Sequence, residues 1–476
     1  MAKQTKIIAT ISDKRCDVDF IQALFKGGIN VVRLNSAHLT QEGFDKIIGN
    51  VRAVSDEIAI LMDTKGPEIR TTVADNPLDI KNGDLLKVYG DPNRKTEPGT
   101  IAVSYRNFVT EIEIGSFILF DDGEIEVEVV EKKDNCLLCK AHNDGTLGSR
   151  KSVNVPSARI NMPSLTDKDR ANIHYAIENN IDFIAHSFVR SKQDVLDIQN
   201  ILAKHKSSIK VIAKIENQEG VDNIDEILEV AYGVMIARGD LGIEIAQEKL
   251  PGIQRLLIRK CVLAHKPVIV ATQMLHSMIH NPRPTRAEVT DVANAIFYRT
   301  DALMLSGETA YGKYPVESVC TMSKIAEEAE KSKLSDNDIK IPYSTNEDDI
   351  TSFLARQAVT SQQILQTQAI LTASYTGRTV RVLAAYRGVN PIYALCPTKA
   401  LVRQLALSYG VIPIHQVGDG HMRDYYLKAL HNLVDKGLIS PTDKVVYLSS
   451  NDRNGVSGTT FLEINLVSHI FNNENK

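Results

Sequence analysis

Short apolar runs rich in β-branched residues recur along the first two thirds of the chain, at KIIATIS (6–12), NVVRLN (30–35), IAILMDTK (58–65), DFIAHSF (182–188), KVIAKIE (210–216), GVMIARGD (233–240), KPVIVATQ (266–273) and DALMLSGET (301–309). Between most of them lie stretches such as SKQDVLDIQNILAKHK and KLPGIQRLLIRKCVLAHK, whose apolar residues fall at three- and four-residue spacing, the period of a helix laid on a core. Strand and helix in alternation predict parallel strands with crossover helices. Eight such units fit a closed (β/α)8 TIM barrel, so the fold class is α/β.

One interval breaks the rhythm. After the third strand no helical pattern appears until SLTDKDRANIHYAIENN, whose Ser164-Leu165-Thr166-Asp167 reads as a capping box. Residues 71–158 instead alternate with period two (SFILFDDGEIEVEVV, NCLLCKAH), with Asp122-Gly123 and Asp144-Gly145 as hairpin turns. They predict an inserted all-β lid domain, a small β-barrel, over the mouth of a catalytic barrel built from 1–70 and 159–340. Both ends of the insertion leave from the barrel mouth, a placement suited to excluding water from a reaction there. A helix (ESVCTMSKIAEEAEKSK) and the polar stretch SDNDIKIPYSTNEDD then lead to a C-terminal α/β domain at 350–476, with strands AILTASYT, PIYALC, GVIPIH, KVVYLSS and TTFLEINLV.

Composition narrows the partners more than the function. With 476 residues, 43% of them apolar, the chain can build several cores. A net charge of −4 with interspersed signs offers no basic field for nucleic acid and no amphipathic membrane anchor. The start MAKQTKIIATISDK has neither a signal-peptide nor a transit-peptide pattern, and no segment is long enough to span a bilayer, so a cytoplasmic location is expected. Six cysteines suit a reducing compartment. Cys136 and Cys139 form a lone CxxC in an alternating run, which reads as strand residues rather than half a zinc site.

A barrel of this kind works at the C-terminal ends of its strands. Those positions carry Arg33 and Asn35, Asp63 and Thr64, Ser187, Lys214 and Glu216, Arg238 and Asp240, Thr272, and Ser306 and Glu308. Strand ends are polar for solvation alone, so the combination matters more than any member. A lysine with two acids, Lys214, Glu216 and Asp240, can hold a divalent metal and a phosphorylated substrate together, which is phosphoryl-transfer chemistry. In the C-terminal domain, Thr376-Gly377-Arg378-Thr379 at a strand-to-helix turn offers hydroxyls, N–H groups and a guanidinium to a phosphate. The same composition also fits a helix N-cap. Ser457-Gly458-Thr459-Thr460 is a second hydroxyl-rich loop.

The segments ATISDK, VVRLN, MDTKGPEIR, KIEN, ARGDLGIEI, ATQML, NPRPTRAEVTDVANA and MLSGETAYGKYPVE together resemble the pyruvate kinase family, in family order and over effectively the whole chain. The resemblance implies phosphoryl transfer from phosphoenolpyruvate to ADP, giving pyruvate and ATP. It also implies Mg²⁺ or Mn²⁺, K⁺, a homotetramer, and a C-terminal domain for assembly and for a phosphorylated allosteric effector. By matching positions it implies Lys214 as transition-state stabiliser, Arg33 as phosphoryl ligand, and Glu216 and Asp240 as Mg²⁺ ligands. Gly239, Asp240 and Thr272 would bind the substrate, with Thr272 beside the carbon that a water protonates. Asn35, His38, Arg70 and Lys151 fall on the nucleotide side; Asn35, Asp63 and Thr64 match the K⁺ ligands; Thr376, Arg378 and Thr379 would hold the effector phosphate. Glu308 is expected to organise the site without ligating.

The departures are specific. In Arg33-Leu34-Asn35-Ser36-Ala37-His38, position 37 lacks the hydroxyl that would coordinate K⁺, whereas Glu68 resembles the K⁺-dependent members. His186, His276 and Tyr298-Arg299 stand where alanine, glutamate and Asp-Gly are expected. Two rival functions use similar parts. A Mg²⁺-dependent pyruvate-enolate lyase or aldolase would need no second phosphate side, against which Arg70 and Lys151 argue. A catalytically silent metabolite sensor would lose some of Lys214, Glu216, Asp240 and Thr272, and all four are present.

Overall fold

The computed structural model describes residues 3–37, 39–156, 158–332, 339, 341–342, 349–418, 422–450 and 459–472. Eight parallel strands close into a barrel: β1 (Lys6–Thr10), β2 (Val31–Asn35), β3 (Ala59–Asp63), β4 (Phe183–His186), β5 (Lys210–Ile215), β6 (Gly233–Ala237), β7 (Val268–Ala271) and β8 (Ala302–Leu305). Closure is direct, since β1 pairs with β2 on one side and with β8 on the other, Ile8 opposite both Val31 and Met304. Alternate residues serve two cores, as a pleated strand requires. Ile8, Val31, Leu61, Phe183, Ile212, Met235 and Ile269 fill the barrel interior, while Ile7, Val32, Ile60, Val211 and Val270 face the surrounding helices.

The strand expectations hold at all eight places, with one change of detail at β6. Arg238–Asp240 does not extend that strand, because Arg238–Glu244 turns into a short helix. The cap before the helix Asp167–Glu178 also differs. Thr166 and Asp169 form the reciprocal capping box, and the Ser164 hydroxyl instead meets Asp197 at 2.5 Å.

Between β3 and β4 lies the all-β insertion with its own apolar core, including Val88, Phe108, Ile118, Phe120, Val127 and Leu147. A closed small barrel was expected there; the described residues form a six-stranded sheet and a separate ribbon pairing Leu78–Ile80 with Gly145–Leu147. Because those two strands satisfy each other, they do not close the larger sheet. Asp122-Gly123 does lie in the hairpin joining Phe117–Phe120 to Ile125–Lys132, both residues with positive φ. Asp144-Gly145 makes no such turn, since Gly145 opens a strand of the ribbon. Cys136 and Cys139 are buried free thiols at the next strand.

The C-terminal domain is a five-stranded sheet in the order β11-β10-β9-β12-β13, from β9 (Ala369–Ala373), β10 (Ile392–Cys396), β11 (Val411–His415), β12 (Lys444–Ser449) and β13 (Phe461–Leu466), with only β13 antiparallel. It packs on the base of the barrel, opposite the mouth. Ala406 and Leu407 join the core inside the barrel, and Tyr232 donates its hydroxyl to the Gln404 carbonyl at 2.9 Å.

Candidate active site

The mouth is organised around three strand ends. Arg33 at the end of β2 donates through Nε to Asp63 Oδ2 at 3.0 Å, with Nη2 on the same oxygen, and through Nη1 to Thr10 Oγ1 at 3.1 Å. Lys214, near the end of β5, places Nζ 2.8 Å from Glu216 Oε1, 2.8 Å from Ser187 Oγ and 3.6 Å from Asp63 Oδ2. Asp63 therefore joins the two cations. Ser187 in turn donates its hydroxyl to the Thr64 carbonyl at 2.8 Å and its backbone N–H to Thr64 Oγ1 at 2.9 Å, while Thr64 Oγ1 lies 3.1 Å from His186 Nδ1.

Burial sets the electrostatics of the cluster. Glu216 and Asp63 are 1% and 2% exposed. Burial alone would drive Asp63 toward its neutral form, but Arg33 and Lys214 outweigh it and hold the carboxyl below its usual range, so it is ionised. Burial likewise opposes charge on Lys214, and Glu216 and Asp63 overcome it, so the ammonium stays protonated. Glu216 goes the other way. Burial, with Asp240 adding to it, raises its carboxyl despite Lys214. One oxygen accepts from the Phe188 N–H at 2.8 Å; the other meets Lys214 as a charge contact without a well-directed hydrogen bond. Asp63 Oδ1 is also buried without a hydrogen-bond donor. Two buried carboxylate oxygens at the mouth thus lack a hydrogen bond, Glu216 Oε1 having only its ion pair with Lys214 and Asp63 Oδ1 having no donor.

Across the mouth, Gly239 N–H donates to Thr272 Oγ1 at 2.7 Å, and Thr272 Oγ1 donates to the Ala271 carbonyl at 2.6 Å. The Gly239 N–H expected to face a substrate carboxylate is thus engaged by Thr272. A Cβ at 239 would make only ordinary contact, 3.6 Å from Thr272, so glycine is not required by the packing seen here. Thr272 and Gln273 both take left-handed backbone, φ 66° and 54°, a strained arrangement of the sort found at binding sites. Arg238 stitches this corner, donating to the Thr272 carbonyl at 2.7 Å while paired with Asp291 at 2.6 Å. Asp240 follows on the same helix, half-buried. Glu308 accepts from Ser306 N–H at 2.8 Å and Leu275 N–H at 3.1 Å, an organising role with no ligating oxygen in evidence.

A cleft of about 270 Å³ separates the lid from the barrel and is lined by Glu68, Arg70, Ser152, Asn217, Asp240 and Glu244. It connects Asp240 with Arg70. Arg70 pairs with Glu68 at 2.8 Å, and Lys151 pairs with Asp121 of the lid at 2.7 Å, each with a half-buried carboxylate. Asn35 Oδ1 accepts from the Ala37 N–H at 3.1 Å. His38 lies outside the described residues. In the C-terminal domain, Gly377 (φ 76°) turns the chain into the helix Arg378–Ala385, and Thr379 Oγ1 meets Thr459 Oγ1 at 2.8 Å, joining the two hydroxyl-rich loops. Ser457 and Gly458 lie outside the described residues.

Sequence reasoning left Thr10 unread and Ser187 without a role. Each sits at the end of a strand, which was the available signal; their partners belong to other strands.

Comparison with known proteins agrees with this architecture. The family description "Pyruvate kinase, barrel domain" matches residues 2–319, and "Pyruvate kinase, alpha/beta domain" matches residues 353–464. The chain is 44% identical over 481 residues to the pyruvate kinase of Borreliella burgdorferi, covering 100% of both chains. It is 42% identical over 485 residues to that of Geobacillus stearothermophilus, covering 99% of this chain and 81% of the other. A crystal structure of a pyruvate kinase from Cryptosporidium parvum superposes with a TM-score of 0.91 at 34% identity, covering 98% of this chain and 96% of that one. On full-length identity and shared fold alike, this chain belongs to the pyruvate kinase family.

Proposed function

We propose that the barrel mouth transfers the phosphoryl group of phosphoenolpyruvate to ADP, producing pyruvate and ATP. The observation that carries this reading is the buried cluster in which Asp63 holds Arg33 and Lys214 side by side while Asp63 and Glu216 each keep one oxygen without a hydrogen bond. Arg33 presents a planar fork to the phosphoryl oxygens. Lys214 sets a fixed positive charge beside oxygens whose charge redistributes as the bond to the leaving enolate loosens. Asp63 and Ser187 keep that lysine in place, so no reorganisation is needed at the moment of transfer. Thr272, held in strained backbone at the opposite wall, orients the water that protonates the enolpyruvate carbon. Arg70 at the lid cleft and Lys151 nearby exchange their carboxylate partners for the nucleotide phosphates, with Asn35 and His38 on the same side.

Mg²⁺ or Mn²⁺ fits Glu216 and Asp240, because the Glu216 oxygen is a hard, buried acceptor and two protein ligands leave positions for substrate and water. When bound there, the divalent ion supplies Lewis-acid charge to the phosphoryl and enol oxygens. K⁺ fits Asp63, Thr64 and Asn35, where Asp63 Oδ1 is the unpaired buried atom. A coupled assay of pyruvate formation from phosphoenolpyruvate and ADP, with Mg²⁺ and K⁺ each varied, tests the whole reading; absence of pyruvate formation under all conditions overturns it. Thr376, Arg378 and Thr379 take a phosphorylated effector, supported by the Gly377 turn and the Thr379–Thr459 contact. Sugar phosphates or AMP should then shift the substrate curve, and Arg378→Ala should remove that shift with basal rate unchanged. The open edge of β13 and the exposed Ile350, Phe353 and Ile364 of the helix Ile350–Ile364 support assembly as a homotetramer through the C-terminal domain. No described helix is long and apolar enough to cross a membrane, in keeping with a cytoplasmic enzyme.

A further inference from the structure

The seam between the barrel base and the C-terminal domain contains a crevice of about 10 Å³, lined by His265, Lys266, Asp301, Arg381, Arg387 and Ser408. Three of these side chains carry a buried polar atom with no hydrogen-bond partner: His265 Nε2, Arg387 Nε and Ser408 Oγ. Arg387 is 7% exposed and Ser408 1%. A buried polar group without a partner is costly, most of all a charged one, so three in one crevice call for an occupant.

The protein's own acceptors are committed elsewhere. Asp301 Oδ1 accepts from Arg387 Nη1 at 2.8 Å and from the Tyr409 N–H at 3.3 Å, and its Oδ2 accepts from the Val268 N–H at 3.0 Å. Neither oxygen reaches Arg387 Nε. Arg387 Nη1 also donates to the Ala384 carbonyl at 2.8 Å, and its guanidinium lies 4.3 Å from the Tyr409 ring centre, leaving Nε as its unfilled position. Lys266 donates to the Ala231 carbonyl at 2.8 Å, and Arg381 to the Thr376 carbonyl at 3.3 Å while resting on the Tyr232 ring. Among the described residues no carboxylate is in ion-pair range of Lys266 or Arg381. Three cationic side chains and one carboxylate, Asp301, thus line the crevice itself.

We infer that this crevice is a binding site for a single small monovalent anion of halide size, chloride in ordinary buffers, which accepts from Arg387 Nε, Ser408 Oγ and His265 Nε2 and offsets the excess positive charge at the seam. Size limits the occupant to one small species, since a crevice of about 10 Å³ is too small for a phosphate ester. Charge selects an anion over water, because Coulomb attraction at a buried site is several-fold stronger than in bulk solvent. Burial and the nearby Arg381 both pull Lys266 below its ordinary pKa, as expected where cations crowd without an anion. The site joins two elements of the fold: Arg381 and Arg387 belong to or follow the helix that begins at the effector turn, and Asp301 precedes β8.

The test uses the intact enzyme. Crystals grown in sodium bromide should show an anomalous difference peak within hydrogen-bond distance of Arg387 Nε and Ser408 Oγ. In solution, replacing chloride by gluconate at constant ionic strength should lower Tm, and adding chloride back should restore it along a saturating curve. Ser408→Val, which fills the crevice and removes one donor without touching the Arg387–Asp301 pair, should abolish that chloride dependence in a folded protein. Arg381→Gln, which removes one of the excess charges, should move the midpoint to higher chloride. A water peak with no bromide signal, or Tm curves identical in chloride and gluconate, would overturn the site.

Discussion

Both ends of the barrel contain buried ion pairs, and they are built on opposite terms. At the base, Asp182 spends both oxygens: Oδ1 accepts from Arg403 Nε at 2.7 Å, while Oδ2 takes the Ile60 N–H at 2.9 Å and Arg52 Nη2 at 3.2 Å. Asp301 is likewise used on both sides by Arg387, Tyr409 and Val268. At the mouth, Asp63 and Glu216 are as deeply buried, yet each keeps one oxygen without a hydrogen bond. The base is complete as a carboxylate network and the mouth is not. A buried acceptor left unmatched is an unfavourable feature that persists where a bound ion or substrate completes it.

The contrast is broken most severely at Lys214. Lys214→Met should lower turnover by a factor on the order of 10² to 10³ or more, with much less change in phosphoenolpyruvate affinity, because the lost interaction strengthens in the transition state. Steady-state kinetics with near-wild-type kcat would remove Lys214 from the chemistry.

Next in size is a paired experiment on one acid from each end. Asp182→Ala leaves Arg403 and Arg52 facing each other without their shared carboxylate, and should cost about 3–5 kcal/mol in denaturant unfolding. Its kcat should be retained under conditions where it is folded. Glu216→Gln removes a charge that burial disfavours but that Lys214 draws on, so its loss of stability should be well below that of Asp182→Ala while the Mg²⁺ concentration for half-maximal rate increases. If both variants lose stability equally, the two ends are not built differently.

Lys6 sharpens the comparison from the base side. Its ammonium is wholly buried, donates to the Val411 carbonyl at 2.7 Å, and has its pKa pulled from 10.5 down to about 7, by burial first and by Lys3 next, with Glu330 and Asp301 opposing. The folded pKa lies below the unfolded one, so charging costs stability in full below about pH 7, and that cost fades as pH rises toward 10.5. Lys6→Met also deprives Val411 of its donor, a loss independent of pH. The Tm of Lys6→Met relative to wild type should therefore fall steadily from neutral pH to about pH 9.5. A constant difference would show that Lys6 does not titrate in this range.

The smallest effect is expected at Ala37. A bridging water can replace the missing hydroxyl at modest cost, so K⁺ should activate, with saturation at higher concentration than in Ala37→Ser. Glu68 supports K⁺ less directly than its sequence suggests, because Lys65 and Arg70 lie 3.7 Å and 2.8 Å from its carboxylate. Rate measured against KCl at constant ionic strength decides the point; coincident curves would exclude position 37 from the cation site.

The eight barrel strands, the all-β insertion and the five C-terminal strands were legible because each is written locally, in runs of apolar residues whose period does not depend on distant partners. The polar residues at the strand ends were legible for the same reason, since a (β/α)8 barrel brings all C-terminal ends to one face. Smaller features misled where a local motif had two outlets. Asp144-Gly145 has the composition of a hairpin turn, but its strand found Leu78–Ile80 some 65 residues away.

What the order of residues determined by itself is therefore the barrel, the register of its inward faces, and which side chains stand at the mouth. The tertiary structure decided how those side chains spend their hydrogen bonds. That Asp63 bridges Arg33 and Lys214, that Ser187 accepts from the lysine, that Leu407 closes the base, and that three polar atoms at the seam go unmatched all depend on contacts between segments remote in sequence. Periodicity can assign a residue to a face, but which donor meets which acceptor follows only from the packing of whole elements, where burial makes each unmatched group costly.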